Sequence, residues 1–182
     1  MTLCGIDEAG RGCIAGDMVI AGVILDKPVL GLCDSKKLTR NKRQELFKKI
    51  IESSQYHIVR VSPKSIDNEG LSLGLQNSIK EIMQVLSCDD YLFDGNTTFG
   101  IPHLRSQIKA DRDIQEVSAA SILAKVTKDN LLIEEGKKYP NFSFASHQGY
   151  GTKKHIEEIR KYGYTPLHRK SYKIKALEIS LY

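Results

Sequence analysis

The sequence predicts an α/β fold, a mixed five-stranded sheet with helices on its faces, on three observations. Two strand-like segments near the start, "LCGID" (3–7) and the almost wholly apolar "DMVIAGVIL" (17–25), are joined by a turn holding Gly10, Gly12 and Gly16. Three further short segments of strand character follow. Between and after them stand longer stretches whose apolar residues recur at helical spacing. At 182 residues, one compact domain is the most economical organisation, and its core needs neither disulfides nor a structural metal.

The elements follow in order. "DMVIAGVIL" is apolar and β-branched, as a strand buried on both faces should be. From about Asn41 to Ser53, the residues Leu46, Phe47, Ile50 and Ile51 share one face, which gives an amphipathic helix with a basic outer face. "YHIVRVS" (56–62) alternates as a third strand and stops before Pro63. Leu71, Leu75, Ile79, Ile82, Met83 and Leu86 form a helical stripe that serves core packing. "YLFDGN" (91–96) is a short strand running into an Asp-Gly-Asn turn, and "SQIKAD" (106–111) is another, ending at Asp111. A helix from about Glu116 to Glu135 opens on the small residues Ser118, Ala119, Ala120 and Ser121, which let a backbone approach closely. After the polar and aromatic loop "NFSFASHQGYGT" (141–152), Thr152 caps a last helix that ends at Gly163.

Composition narrows the function. There is no apolar run near the roughly 20 residues that span a bilayer, and no secretory signal pattern, so a cytoplasmic protein without a membrane partner is expected. Cys4, Cys13, Cys33 and Cys88 lack any zinc-like spacing and read as reduced thiols. The net charge of +5 is concentrated in two places. Residues 36–49 carry seven Lys or Arg against Glu45 alone, and "LHRKSYKIK" (167–175) carries four with no acid. Focused positive charge suits a phosphate backbone, although a lone Lys-rich helix is more often a solvated face.

Three of the expected strands end in acids: Asp7 with Glu8, Asp94, and Asp111. Sites in such sheets gather beyond strand ends, so these carboxylates can converge. An all-oxygen donor set favours Mg²⁺ or Mn²⁺, and divalent cations remove the repulsion among crowded acids while serving phosphoryl chemistry. Taken singly, Asp94 before Gly95 reads as a turn residue and Asp111 as a helix-entry residue. Asp7 and Glu8 point to opposite faces of a regular strand and share a site only where the strand breaks or twists, which Gly10 and Gly12 favour. Residue types and spacing alone reach a metal-dependent enzyme that handles phosphate, acting on nucleic acid.

Six collinear segments carry the reading further: "GIDEAGRG" (5–12), "DSKKL" (34–38), "FDGN" (93–96), "EVSAASILAKVTKD" (116–129), "HQGYGT" (147–152) and "TPLHRKSY" (165–172). In order and spacing they resemble bacterial ribonuclease HII over essentially the whole chain. The resemblance implies an RNase H-like fold with a C-terminal helical extension from about residue 137 to 182. It also implies cleavage of RNA paired with, or embedded in, DNA by two divalent ions, leaving 3′-hydroxyl and 5′-phosphate ends. By position, Asp7, Glu8, Asp94 and Asp111 match the family's metal-binding catalytic acids. Gly10, Arg11 and Gly12 match the motif that contacts the ribonucleotide around its 2′-hydroxyl, and Tyr150 matches the tyrosine that packs on the neighbouring sugar. Lys36 and Lys37, with Arg169 and Lys170 from the tail, are expected on the duplex phosphates.

Three positions depart from the pattern. Cys13 and Gly151 stand where prolines are frequent, and Asp17 where small or apolar residues are common; Cys13 is expected to loosen the turn and Asp17 to add charge near the site. Ribonuclease HIII, the nearest rival, carries an additional N-terminal domain. A binding module with decayed chemistry would lose acids, and a sugar-phosphate or nucleotide phosphatase would not explain two basic segments. At the C-terminus, "EISLY" (178–182) resembles the short peptides that bind the replication sliding clamp, with Glu178 in place of Gln.

Overall fold

A computed structural model of the chain describes residues 1–32 and 38–178, with the side chain of Glu178 excepted. Lys36 and Lys37 therefore lie outside the described residues, as do 179–182 of the C-terminal segment. Five strands, β1 (Leu3–Ala9), β2 (Met18–Leu25), β3 (Ser54–Val61), β4 (Asp90–Asp94) and β5 (Leu104–Gln107), form one sheet in the order β3-β2-β1-β4-β5. β3, β2 and β1 pair antiparallel, whereas β1, β4 and β5 pair parallel. The mixed sheet is thus as the sequence predicts.

The helices are α1 (Arg40–Ile51), α2 (Pro63–Glu69), α3 (Leu71–Val85), α4 (Gln115–Gly136), α5 (Phe144–His147), α6 (Lys153–Tyr162) and α7 (Lys175–Glu178). Alternation along the strands divides the core in two. Cys4, Ile6, Met18, Ile20 and Phe93 pack with Leu75, Ile79 and Ile82 of α3. Val19, Ala21 and Val23 pack on the opposite face with Leu46 and Ile50 of α1 and Ala119, Ala120 and Leu123 of α4. Each large apolar side chain so buried contributes about 1.5–3 kcal/mol before entropy is charged. The small residues opening α4 do admit a close backbone: a Cβ on Gly5 of β1 would lie 2.2 Å from the carbonyl carbon of Glu116.

Three elements differ from the sequence expectation, the first being α5, which lies inside the segment 141–152 read as a loop. Pro63 does stop β3, but it also starts α2 as its first residue, with the Ser62 side chain accepting from the amide of Ser65. β5 ends at Gln107 rather than at Asp111, because Lys109 adopts a left-handed backbone (φ 62°) and Asp111 sits on a single 3-10 turn, Ala110–Arg112, at the entry to α4. From residue 137 the chain folds back as α5 to α7, and Phe142, Phe144 and Ile159 bury against Leu132 of α4 and Ile14 and Ala15 of the β1–β2 connection. Among the described residues no helix is long and apolar enough to cross a membrane. Cys4, Cys13 and Cys88 are free, and burial pushes the Cys4 thiol up to about 12.

Candidate active site

Register builds the acidic corner. Ile6 of β1 stands opposite Phe93 of β4, so the next residues, Asp7 and Asp94, lie side by side at the parallel strand ends. The amide of Lys109 donates to Asp94 Oδ1 at 2.8 Å, which pins the β5 exit and brings the 3-10 turn, with Asp111, over the same end. Asp7, Asp94 and Asp111 each offer an oxygen within 4.8 Å of the others. Asp7 and Asp111 are buried, and burial first, the charge of Glu8 second, drive the Asp7 carboxyl well above its ordinary value. Such crowding is unfavourable without a counter-charge, and the hard oxygen donors fit a divalent cation.

Glu8 stands apart from this trio. β1 stays paired with β2 through Ala9, and the chain breaks only at Gly10, so Glu8 keeps the opposite face of the strand from Asp7. The break that the glycines favour comes at Gly10, after both acids, and Glu8 at the strand end still feels the charge of Asp94. Glu8 Oε1 lies 3.6 Å from Arg11 Nη1, while its buried Oε2 has no hydrogen-bond partner. Burial raises its carboxyl too, with Arg11 opposing and the charge of Asp94 adding to the rise. A buried oxygen left without a partner, near a second acid, is the state expected of a ligand atom that an ion completes.

Beside the acids lies a cleft of about 250 Å³, whose walls are Glu8 to Gly12, Arg43 of α1, Lys125 of α4 and Tyr150. Gly10 requires glycine: its φ is +88°, and a Cβ would come within 2.9 Å of both the carbonyl oxygen of Asp17 and Lys128 Cδ. Gly12 differs, since a Cβ there would meet no protein atom within 4 Å. Its bareness leaves room for something outside the chain. The turn closes by the Cys13 amide donating to the Gly10 carbonyl at 3.2 Å, a bond that a proline lacks the hydrogen to make. Cys13 therefore ties the turn rather than loosening it.

Tyr150 is 41% exposed, with Lys128 Nζ 4.7 Å and Lys125 Nζ 5.4 Å from its ring centroid. Lys128 is 1% exposed, donates to the Gln148 carbonyl at 2.9 Å and pairs with Asp129 at 3.0 Å. Neither lysine is singled out by the sequence reading, although their i, i+3 spacing on α4, followed by Asp129, is visible in "AKVTKD".

Arg169 corrects an expectation. It is fully buried, and its guanidinium donates to the carbonyls of Gly16 (3.0 and 2.9 Å) and Arg11 (3.2 Å) and to the Tyr172 hydroxyl (3.1 Å). All its reach goes into holding the glycine turn, and none faces a duplex. Lys170 is exposed, and its amide donates to Asp67 of α2. Asp17 does not leave a bare charge near the site either: it is buried, and Arg60 Nε of β3 donates to it at 2.8 Å while Arg60 also binds Glu135.

Comparison with known proteins identifies the family. The family model described as Ribonuclease HII matches residues 4–175. A Ribonuclease HII of Sulfurovum sp. (strain NBC37-1) is 50% identical over 176 residues, covering 97% of this chain and 94% of the relative. One from Aliarcobacter butzleri (strain RM4018) is 51% identical over 177 residues, covering 96% and 92%. The structure of the PCNA:RNase HII complex from Archaeoglobus fulgidus matches with a TM-score of 0.82 at 27% identity, covering 96% of each chain. The chain belongs to the ribonuclease HII family: it is a metal-dependent RNase H-type hydrolase that acts on RNA-DNA hybrids.

Proposed function

We propose that this enzyme cuts RNA-DNA hybrids and single ribonucleotides embedded in duplex DNA on the 5′ side of the ribonucleotide, leaving 3′-hydroxyl and 5′-phosphate ends, and so serves ribonucleotide removal during DNA repair and replication. The observation that supports the reading is the adjacency of two unlike surfaces: three carboxylates within 4.8 Å of one another, and an open glycine cleft walled by Glu8, the residue after Asp7. Asp7, Asp94, Asp111 and Glu8 would hold two Mn²⁺ or Mg²⁺ ions, Glu8 through its unpartnered Oε2. Bound there, divalent ions lower the pKa of water and neutralise charge building on the phosphate. The Gly10-Arg11-Gly12 backbone meets the 2′-hydroxyl, which DNA lacks and which both donates and accepts hydrogen bonds. Tyr150, half exposed at the cleft, packs on the neighbouring deoxyribose and so demands DNA on that side.

Arg43, Lys125 and Lys170, with Lys36 and Lys37 outside the described residues, supply phosphate contacts that set affinity without sequence choice. The whole of 1–182 acts as one unit in the cytoplasm, with 137–182 as a helical extension. An archaeal relative is described in a complex with PCNA; in this chain 178–182 is the segment proposed for a weak sliding-clamp contact, and pull-down with and without it tests that point. The function itself is tested by incubating a duplex carrying one ribonucleotide with enzyme and Mn²⁺, Mg²⁺ or chelator, and mapping the ends. Metal-dependent incision 5′ of the ribonucleotide is expected; cleavage elsewhere, or equal cleavage of all-DNA duplex, contradicts the reading.

A further inference from the structure

Three histidines lie buried in the C-terminal extension, away from the acids: His147 of α5, His155 of α6, and His168 in the segment after α6. Their hydrogen bonds leave one consistent set of proton positions. The Thr165 amide donates to His168 Nδ1 at 2.9 Å, and the Thr165 hydroxyl, also 2.9 Å away, is then a second donor to it, so a neutral His168 carries its proton on Nε2. His168 Nε2 faces His155 Nε2 at 3.0 Å, which makes His155 the acceptor and places its proton on Nδ1. His155 Nδ1 is 2.9 Å from the carbonyl oxygen of Tyr150 and donates to it. His147 completes the packing. Its ring stacks on His155 at 3.8 Å, its Nδ1 accepts from the Gly149 amide, and its Nε2 donates to Glu158, which also accepts from the Ser143 amide.

We propose that His168 and His155 are positioning residues for Tyr150: a one-directional chain, from the Thr165 amide through both imidazoles to the Tyr150 carbonyl, sets the loop that presents the tyrosine to the cleft. The chain ends on the residue that lines the cleft half exposed, and it reaches none of Asp7, Asp94 and Asp111. Its other flank is fixed too, since the amides of Ile14 and Ala15 donate to the Gly149 carbonyl and join the same loop to the glycine turn. Neutral rings are what the chain needs, because a second proton on either imidazole would set two N–H groups against each other. Burial supplies that condition, holding both His155 and His168 down to about 4, with His147 and Glu158 as the charged or titratable groups packed against them. His168 and Arg169 are adjacent, so one short segment braces both walls of the cleft: His168 the tyrosine, Arg169 the glycine turn.

The inference rests on the reading that Tyr150 discriminates the junction, and the test separates the two. Long-range ¹H–¹⁵N correlation spectra of the unaltered protein should show His168 protonated on Nε2 and His155 on Nδ1 at neutral pH. The reverse tautomer at His155 overturns the chain without any variant. His155→Leu removes the donor to Tyr150, whereas His155→Asn can keep one at the Nδ1 position. In His155→Leu, the ratio of kcat/KM on a single embedded ribonucleotide to that on a long hybrid should fall about tenfold or more, toward the ratio of Tyr150→Ala; His155→Asn should recover most of it. A parental ratio in His155→Leu beside a reduced one in Tyr150→Ala overturns the positioning role and leaves the junction reading standing. If Tyr150→Ala itself keeps the parental ratio, the junction reading falls. Amide exchange across 148–152 then decides the chain alone: faster exchange in His155→Leu supports it, and unchanged exchange overturns it.

Discussion

The acidic corner and the glycine cleft share the end of β1 but are held in place by different physics. The corner rests on register: parallel pairing of β1 with β4 fixes Asp7 beside Asp94, and one amide, that of Lys109, steadies the turn bearing Asp111. The cleft rests on buried polar side chains from far along the chain, Lys128, His155, His168 and Arg169, each directed at a backbone carbonyl or at another link in a chain ending on one. The corner holds unfavourable buried charge, whereas the cleft is shaped by favourable hydrogen bonds. Stability and activity should therefore respond in opposite senses in the two regions.

The largest effects are expected at the corner. Asp94→Asn should reduce cleavage by roughly three orders of magnitude or more while duplex binding stays within a few-fold, because it removes charge at the reacting phosphate but no phosphate contact. Steady-state cleavage beside fluorescence anisotropy checks both halves. Asp7→Asn should also abolish cleavage, yet stabilise the metal-free protein by about 1–3 kcal/mol, since burial and Glu8 disfavour the ionised carboxylate. Urea unfolding in chelator measures it, and a destabilised variant would contradict the account of stored charge.

In the cleft the sign reverses. Arg169→Met should cost about 2–4 kcal/mol, because the carbonyls of Gly16 and Arg11 lose buried donors. The salt dependence of duplex binding should not change, whereas Lys170→Ala next door should lower its slope by about one with little loss of stability.

Acidification separates the regions again. His155 and His168 take up protons near 4 in the fold but near 6.5 when unfolded, so between these values the unfolded chain binds more protons. Their contribution to stability is complete above about 6.5 and is lost as the pH falls toward 4. Asp7 and Glu8, raised by burial, contribute the opposite slope, relieving strain as they protonate. Removing that relief with Asp7→Asn should make the loss of stability on acidification steeper than in the parent, and an identical slope would contradict the opposition.

The same contrast explains what was legible in the sequence. Asp7, Asp94 and the ends of β1 and β4 follow from local patterns, apolar strands halted by Gly and Asp, and these need no knowledge of the rest of the chain. The sequence places Asp111 at the end of a strand, "SQIKAD"; the left-handed backbone at Lys109 that turns the chain away before it is a local conformation which the residue type barely signals. α2 is hidden in the sequence because Pro63 marks a strand end and a helix start alike, and only Ser62 before it distinguishes them. Arg169 is expected on duplex phosphates because it stands in a basic segment that suits a phosphate backbone, while its burial is created by carbonyls more than 150 residues upstream. The six segments resembling ribonuclease HII marked where function lies without showing which members touch a substrate and which hold those that do.

The central claim, that the corner cuts while the cleft recognises a ribose followed by DNA, is tested most directly by comparing Tyr150→Ala with the parent on two substrates, a duplex with one embedded ribonucleotide and a long RNA-DNA hybrid. The account predicts a loss on the single ribonucleotide at least tenfold greater than on the hybrid, because only the former depends on sensing the junction. Equal loss on both substrates would contradict it.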